Sequence, residues 1–249
     1  MSKVFQASRG LLKIAQTCHG LTRVLPVRKT VGKGVRNEPV AKIYHLRLPV
    51  RTLTIQTIQF KKDPMEYPLL TGAHHWRRKM RTTFRCLDAN SDGYITKDDY
   101  AITARRCAQF LDLNDERAQH ILNQRIAMWE IIPKGTEDPS KVSEEEYINS
   151  APPVFNRNSF RQDFLPMVIS MDFDAMDIDG DGLISNEEHK AFFYGLHIPV
   201  DESKKIFDVM DTNKDGLISI DEFAHAWTEF FLTEDPNNIY DVLFGKLAD

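Results

Sequence analysis

Two twelve-residue segments of this chain carry oxygen-bearing side chains at a regular spacing. They read DIDGDGLISNEE at residues 177–188 and DTNKDGLISIDE at residues 211–222. Each has an acidic or amide side chain at positions 1, 3 and 5, glycine at position 6, serine at position 9 and glutamate at position 12. A calcium ion takes about six to eight oxygen ligands, and a loop with this spacing can wrap around the ion and supply them. The two segments therefore predict two calcium sites.

The spacing also assigns each predicted ligand. The ion takes a backbone carbonyl from position 7 and both carboxylate oxygens of the last glutamate, while glycine at position 6 permits the sharp turn. In the first segment the predicted ligands are Asp177, Asp179, Asp181, the carbonyl of Leu183, Ser185 and Glu188. In the second they are Asp211, Asn213, Asp215, the carbonyl of Leu217, Ser219 and Glu222. Chance does not plausibly produce two such patterns, so a merely solvated acidic loop is a poor alternative.

A third segment, DANSDGYITKDD at residues 88–99, follows the same pattern with a change at its end. Its predicted ligands are Asp88, Asn90, Asp92, the carbonyl of Tyr94, Thr96 and Asp99. Aspartate is one methylene shorter than glutamate, so we expect Asp99 to reach the ion with one oxygen only. Such a site has about six ligands and tolerates Mg²⁺ better. We therefore predict three divalent-ion sites, with the choice between Ca²⁺ and Mg²⁺ open at this one.

A fourth loop is recognised by its framework, because its ligands are missing. Position 8 of the three complete loops, where paired loops join through a short β contact, is occupied by Ile95, Ile184 and Ile218. Val142 fits the same role, and counting back from it places Gly135 at position 1, Glu137 at 3, Pro139 at 5 and Ser140 at the turn. Without a first carboxylate or a turn glycine, and with proline at a ligand position, this loop should not bind calcium. We predict an empty loop that is kept for pairing.

The segments between the loops predict helices. Apolar residues recur at helical spacing on both sides of the loops. Glu144, Glu145 and Glu146 are interpreted as a helix start, where negative charge meets the positive end of the helix dipole. The predicted fold class is all-α and compact: four EF-hand helix-loop-helix units in two pairs, the second unit degenerate, with short β contacts between paired loops. We number the loops I (88–99), II (135–146), III (177–188) and IV (211–222).

The predicted domains are a basic N-terminal extension at residues 1–68, the first pair at 69–152, and the second pair with a C-terminal extension at 153–249. Residues 1–62 hold thirteen lysines and arginines and a single acid, Glu38, although the whole chain has a net charge of -4. A solvated tail is favoured for residues 1–36, and an amphipathic mitochondrial transit peptide or a membrane or partner contact is the alternative. The Thr-rich stretch from Ile43 to Phe60 is interpreted as a linker.

Composition narrows the class of protein further. Three cysteines, Cys18, Cys86 and Cys107, are too few and too scattered for a disulfide framework, which predicts a reducing, intracellular compartment. No apolar run is long enough for a transmembrane helix. We expect a soluble cytoplasmic monomer, or a mitochondrial one if the extension is a transit peptide, with no nucleic-acid partner. No nucleophile–base pair or phosphate-binding glycine loop stands out, so we do not expect an enzyme.

The order of complete and degenerate loops points to a family. Three complete loops, an empty second one, long spacers and the C-terminal stretch DPNNIYDVLFGKL make residues 70–249 resemble the invertebrate sarcoplasmic calcium-binding proteins and their relative calexcitin. The resemblance implies a fold in which both pairs share one core, and a cytosolic calcium and magnesium buffer in muscle or neurons. The first 60 or so residues have no counterpart in this resemblance.

Three functions are compatible with a calcium-binding protein of this kind: a buffer, a sensor and a photoprotein. Calcium sensors expose methionine-rich grooves, but phenylalanines outnumber methionines fifteen to eight in this chain, which predicts a rigid, filled core and a buffer. A calexcitin-like sensor that exposes a surface to a target protein is the alternative. A photoprotein would resemble its family in ending with a proline, whereas this sequence ends in Lys246, Leu247, Ala248 and Asp249. Light emission is therefore disfavoured.

Overall fold

The computed structural model describes residues 57–132 and 138–249, which form eight α-helices and four three-residue strands. The helices are α1 (His74–Leu87), α2 (Lys97–Phe110), α3 (Asp115–Ile131), α4 (Glu144–Phe155), α5 (Leu165–Met176), α6 (Asn186–Gly195), α7 (Val200–Met210) and α8 (Ile220–Leu232). The strands are β1 (Tyr94–Thr96), β2 (Lys141–Ser143), β3 (Leu183–Ser185) and β4 (Leu217–Ser219). A π-helical turn, Phe160–Phe164, leads into α5, and short 3₁₀ turns lie at Pro64–Glu66 and Ile239–Val242.

The strands join the loops two by two. β1 pairs antiparallel with β2, with Ile95 opposite Val142, and β3 pairs antiparallel with β4, with Ile184 opposite Ile218. All four side chains are buried. The predicted β contacts between paired loops are thus confirmed, including the contact made by the degenerate loop II. Helices α1–α4 form the first pair and α5–α8 the second.

Each outgoing helix begins with a capping box built from the end of its loop. The position 9 hydroxyl and the position 12 carboxylate cap one another in Thr96–Asp99, Ser143–Glu146, Ser185–Glu188 and Ser219–Glu222. Two backbone N–H groups that would otherwise lack partners are satisfied in this way. The last ligand position of each loop is therefore held by the start of its helix. The acidic run at Glu144–Glu146 lies in the first turn of α4, which confirms its interpretation as a helix start.

One large apolar cluster combines side chains from both pairs. Trp76 and Met80 of α1 are buried in the same cluster as Phe173 of α5 and Phe223 and Phe230 of α8. These five side chains are almost completely inaccessible to solvent. Because burial of one large apolar side chain contributes about 1.5–3 kcal/mol, the two pairs stabilise one another strongly. The shared core that the family resemblance implies is present.

The C-terminal segment (residues 233–249) lies along α1, the first helix of the first pair. Its Glu234 carboxylate accepts the N–H groups of residues 71–73, immediately before α1. Further along, Asp241 contacts His75 and lies 3.3 Å from the ammonium group of Lys79. Near the end, the N–H of Ala248 donates to the Thr82 hydroxyl at 2.8 Å. The segment is therefore an integral part of the fold.

The N-terminal strap (residues 57–73) is held against the second pair. The N–H of Gln59 donates to the Asp221 carboxylate at 2.7 Å, and the Tyr67 hydroxyl donates to Glu229 at 2.7 Å. Both acceptors lie on α8. Residues 57–68, which the sequence analysis places in the basic extension, thus pack on the folded body. The interpretations of residues 1–36 as a tail or transit peptide, and most of the linker interpretation, lie outside the described residues.

Candidate calcium sites

Loop III surrounds its first and last carboxylates with inward-pointing backbone N–H groups. Asp177, at the end of α5, accepts the N–H of Gly182 at 3.0 Å through Oδ2. Glu188, in the first turn of α6, accepts the N–H groups of Ile178 at 2.8 Å and Asp179 at 3.2 Å through Oε1. Its Oε2 accepts the N–H and the hydroxyl of Ser185 at 2.9 and 2.7 Å. Both glutamate oxygens are thereby held in place.

Three carboxylates converge in this loop. One oxygen each from Asp177, Asp179 and Glu188 lies within 4.8 Å of the others. Burial raises the pKa of Asp177 above its ordinary value, Glu188 and Asp181 add to the rise, and the N–H groups of the loop oppose it. Negative charges gathered in a partly buried place favour a cation between them. The residues present in loop III fit a calcium ion.

Loop IV repeats this arrangement. Asp211 accepts the N–H of Gly216 at 3.0 Å, and Glu222 Oε1 accepts the N–H groups of Thr212 and Asn213 at 3.0 and 3.3 Å. Ser219 donates to Oε2 through its N–H and its hydroxyl. Burial raises the pKa of Glu222, but the hydrogen bonds outweigh that effect and hold the pKa below its ordinary value. This carboxylate is kept ionised and oriented for a cation.

Loop I shows what the shorter last side chain changes. Asp99 Oδ2 accepts the N–H and the hydroxyl of Thr96, both at 2.7 Å, as the glutamates do in loops III and IV. Its Oδ1 accepts one loop N–H, from Asn90 at 3.2 Å, whereas each glutamate accepts two. The Asp99 side chain is completely buried. The missing methylene thus reduces the contact between the last carboxylate and the first half of the loop.

Glycine at position 6 serves the same purpose in all three loops. Gly93, Gly182 and Gly216 have φ values of +87°, +88° and +86°, a left-handed conformation that side chains disfavour. In that conformation each N–H donates to the first aspartate of its loop, at 2.9–3.0 Å. The turn therefore aims the position 1 carboxylate into the loop.

The degenerate loop II keeps more of the calcium-loop framework than sequence reasoning recognised. Glu146 stands at position 12 and accepts the N–H and the hydroxyl of Ser143 at 3.1 and 2.8 Å, as in the complete loops. The signal was present as the repeated S-x-x-E pattern at residues 143–146, 185–188 and 219–222. Position 4, Asp138, accepts hydrogen bonds from Ser140. The residues at positions 1–3 of this loop lie outside the described residues.

Paired helix-loop-helix units with these loops define the class as EF-hand proteins. The EF-hand domain pair model matches residues 168–228, and an EF hand model matches residues 80–101. The chain is 30% identical over 170 residues to the sarcoplasmic calcium-binding protein of Perinereis vancaurica tetradentata, covering 66% of this chain and 95% of that one. It belongs to the sarcoplasmic calcium-binding protein family, and it binds calcium.

Two further relatives come from Renilla species. The chain is 28% identical over 178 residues to the luciferin-binding protein of Renilla reniformis, covering 70% of this chain and 95% of that one. A crystal structure of the coelenterazine-binding protein from Renilla muelleri, in the calcium-loaded apo form, superposes with a TM-score of 0.61 at 25% identity, over 70% of this chain and 99% of the other. The family and the all-α fold inferred from the loops are confirmed. Among residues 57–132 and 138–249, no helix is long and apolar enough to cross a membrane.

Proposed function

We propose that this protein is a calcium buffer with three divalent-ion sites, in loops I, III and IV, and with no site in loop II. In each site the side chains at positions 1, 3, 5, 9 and 12 and the carbonyl at position 7 would hold the ion. A bound Ca²⁺ would neutralise the carboxylates that each loop brings together. The support for three sites is that loops I, III and IV share one set of contacts between carboxylates and N–H groups. Loop I differs in that Asp99 accepts one N–H from the first half of the loop, whereas the glutamates accept two.

The filled core of the second pair is the observation that favours a calcium buffer over a calcium sensor. Phe244 of the C-terminal segment packs against the rings of Phe230, Phe231 and Phe193, with ring centroids 5.2, 5.9 and 6.5 Å apart. Trp227 also contacts Phe244, at 6.2 Å. A sensor exposes such a groove to a partner helix when calcium binds. In this protein the chain's own last residues occupy that space.

Opening the groove would also require breaking polar contacts. The C-terminal segment is tied to α1 by Glu234 at one end, by Asp241 in the middle and by the carbonyl of Ala248, which accepts a hydrogen bond from Arg78 at 2.8 Å. These hydrogen bonds are partly buried, and hydrogen bonds to charged groups contribute roughly 1.5–3 kcal/mol each.

A cytoplasmic location agrees with the family's sarcoplasmic members, and we propose it for this chain together with a monomeric state.

Hydrophobic-dye binding tests this proposal. We expect the fluorescence of such a dye to rise less than about twofold when Ca²⁺ is added, because the groove stays covered. Phe244→Ala serves as the positive control, since it uncovers Phe230 and Phe231 and should increase dye binding. A large calcium-dependent rise in the parent protein would instead favour the sensor.

The metal preference of loop I provides a second test. We expect Asp99→Glu to raise the preference of this loop for Ca²⁺ over Mg²⁺ by roughly tenfold, because the longer side chain can bring both oxygens to the ion. Titration calorimetry with and without millimolar Mg²⁺ measures this preference. Glu222→Asp makes the reciprocal change in loop IV and should lower the preference there. If Asp99→Glu leaves the ratio of affinities unchanged, side-chain length does not set the selectivity.

A further inference from the structure

Helices α2 and α6, which leave loops I and III, cross at unusually close range. A β-carbon on Gly195 of α6 would lie 2.9 Å from the carbonyl oxygen of Thr103 on α2, which is closer than real β-carbons approach. The buried side chains at this contact are small: Ala104 and Cys107 on α2 and Ala191 on α6. The outgoing helices of the first and third units are thus in direct contact across the two pairs, with little freedom to slide.

Two arginine side chains stabilise the contact between α2 and α6. Arg106 of α2 donates to the carbonyl of Tyr194 on α6 at 3.0 Å, and its guanidinium lies 4.6 Å from the centre of the Tyr194 ring. Arg125 of α3 lies between Tyr100 of α2 and Phe192 of α6, at 4.8 and 5.0 Å from their ring centres. The buried Asp172 of α5 pairs with Arg125 at 3.0 Å. Arg106 and Arg125 thus link α2 to α6, and Asp172 extends the contact to α5.

The calcium loops themselves reach across this interface at the same loop position. Ile178, at position 2 of loop III, packs against the cluster formed by Ala104, Cys107, Ile121 and Ala191. Three of these four residues belong to the first pair. Reciprocally, Ala89, at position 2 of loop I, is buried, and its backbone lies close enough to the His197 imidazole, just after α6, to oppose the lowering of the His197 pKa by burial. Each loop thus lies at the interface with the opposite pair.

Position 2 lies directly beside the last ligand. In loop III, the N–H of Ile178 donates to Glu188 Oε1 at 2.8 Å, so packing of Ile178 against the first pair helps to place that oxygen. In loop I, the residue after Ala89 is Asn90, whose N–H donates to Asp99 Oδ1. The interface thus adjoins the last carboxylate of each loop, directly in loop III and through the next residue in loop I.

We propose that the first and third calcium sites are thermodynamically coupled across the pair interface, so that an ion in either site strengthens binding at the other. This inference rests on the proposed function, since it requires ions in loops I and III. Loop I is β-paired with loop II, which we propose to be empty, and so has no ion-binding partner within its own pair. The contact between α2 and α6 supplies a partner in the other pair. Such coupling typically changes affinity by about 5–150-fold and is reciprocal.

Glycine-selective ¹⁵N NMR of the full chain can follow each loop separately. The N–H groups of Gly93, Gly182 and Gly216 each donate to the first aspartate of loops I, III and IV, so their signals report three sites. Glu188→Gln disables loop III, and Glu222→Gln is the matched control in loop IV. We expect Glu188→Gln to raise the calcium midpoint of the Gly93 signal at least about fivefold. Glu222→Gln should raise it by a smaller factor, because loop IV is β-paired with loop III and reaches loop I only through that loop.

A second variant removes one packing contact between loop III and the first pair while leaving every predicted calcium ligand in place. Ile178→Ala keeps the backbone N–H that serves Glu188 but removes the packing against the first pair. In this background, we expect Glu188→Gln to shift the Gly93 midpoint by a smaller factor than it does in the parent protein. A Gly93 midpoint that Glu188→Gln leaves unchanged in the parent protein would overturn the coupling but not the three-site proposal. Equal shifts in both backgrounds would overturn the route through Ile178. A Gly93 signal that ignores calcium in the parent protein would overturn the three-site proposal and the coupling together.

Discussion

Glu188→Gln is expected to abolish calcium binding in loop III, and Glu222→Gln to do the same in loop IV. Both oxygens of Glu188 are aimed by the loop, one by Ile178 and Asp179 and the other by Ser185. Glutamine has one oxygen, and its NH₂ group would face N–H donors of the loop. The substitution removes a charge and a ligand atom and spoils the alignment. Changes outside the ligand shell cost about 10–100-fold in metal affinity, so loss of this ligand should cost more than about 100-fold.

Loop II offers a matched control for this experiment. Glu146 forms the same capping box with Ser143 as Glu188 forms with Ser185. Glu146→Gln should therefore disturb the helix start similarly without removing a calcium site. Titration calorimetry should count three ions in the parent protein and in Glu146→Gln, and two in each of the other variants. A lost ion in Glu146→Gln would show that loop II binds calcium after all.

Arg161→Met, outside the calcium loops, is expected to destabilise the folded protein substantially. The Arg161 side chain is buried, and its guanidinium donates to the carbonyls of Pro64, Tyr67, Pro68 and Phe155 at the junction of the N-terminal strap and the second pair. Methionine fills similar space but donates nothing. The hydrogen bonds to the carbonyls of Pro64 and Tyr67 are buried, and each buried carbonyl left without a donor costs about 1–3 kcal/mol, so the loss should reach at least about 2 kcal/mol.

Thermal unfolding at fixed, saturating Ca²⁺ measures this loss, since bound ions themselves raise the apparent stability. We expect the Tm of Arg161→Met to fall by roughly 5 °C or more. Arg117→Met is the matched control, because Arg117 lies exposed on α3 and the same change there should leave Tm nearly unaltered. Similar Tm values for Arg161→Met and the parent protein would mean that the strap contributes little to the folded body.

The sequence predicted the parts of this protein whose partners are close along the chain. Every ligand position of a calcium loop falls within twelve residues, so Asp177 and Glu188 could be paired from spacing alone. Position 8 likewise identified Val142 as the partner of Ile95 through a framework that survives loss of the ligands. The prediction that the shorter Asp99 reaches the ion with one oxygen stays a prediction. The folded loop adds that Asp99 accepts one N–H from the first half of its loop, whereas Glu188 and Glu222 each accept two.

Other features could not be predicted because their partners lie far away in the sequence. Gly195 ends a helix, as glycines often do, but its close approach to Thr103 depends on how two pairs of units pack. Nothing in the residues around Arg161 indicates that carbonyls from residues 64–68 would surround it. Glu234 reads as an ordinary surface acid, and only the folded chain places it at the start of α1.

The sequence by itself therefore determined the calcium loops, their order and the family, because a loop's ligands are a local property with a fixed spacing. Tertiary structure alone decided what covers the core, which helix contacts which, and how loop I and loop III come to share an interface. These outcomes depend on the shapes and charges of side chains more than a hundred residues apart, such as Trp76 and Phe231, whose contact no local pattern encodes. The spacing of ligands in the twelve-residue loops thus accounts for calcium binding, and the packing of the helices supports the proposals of buffering and coupling.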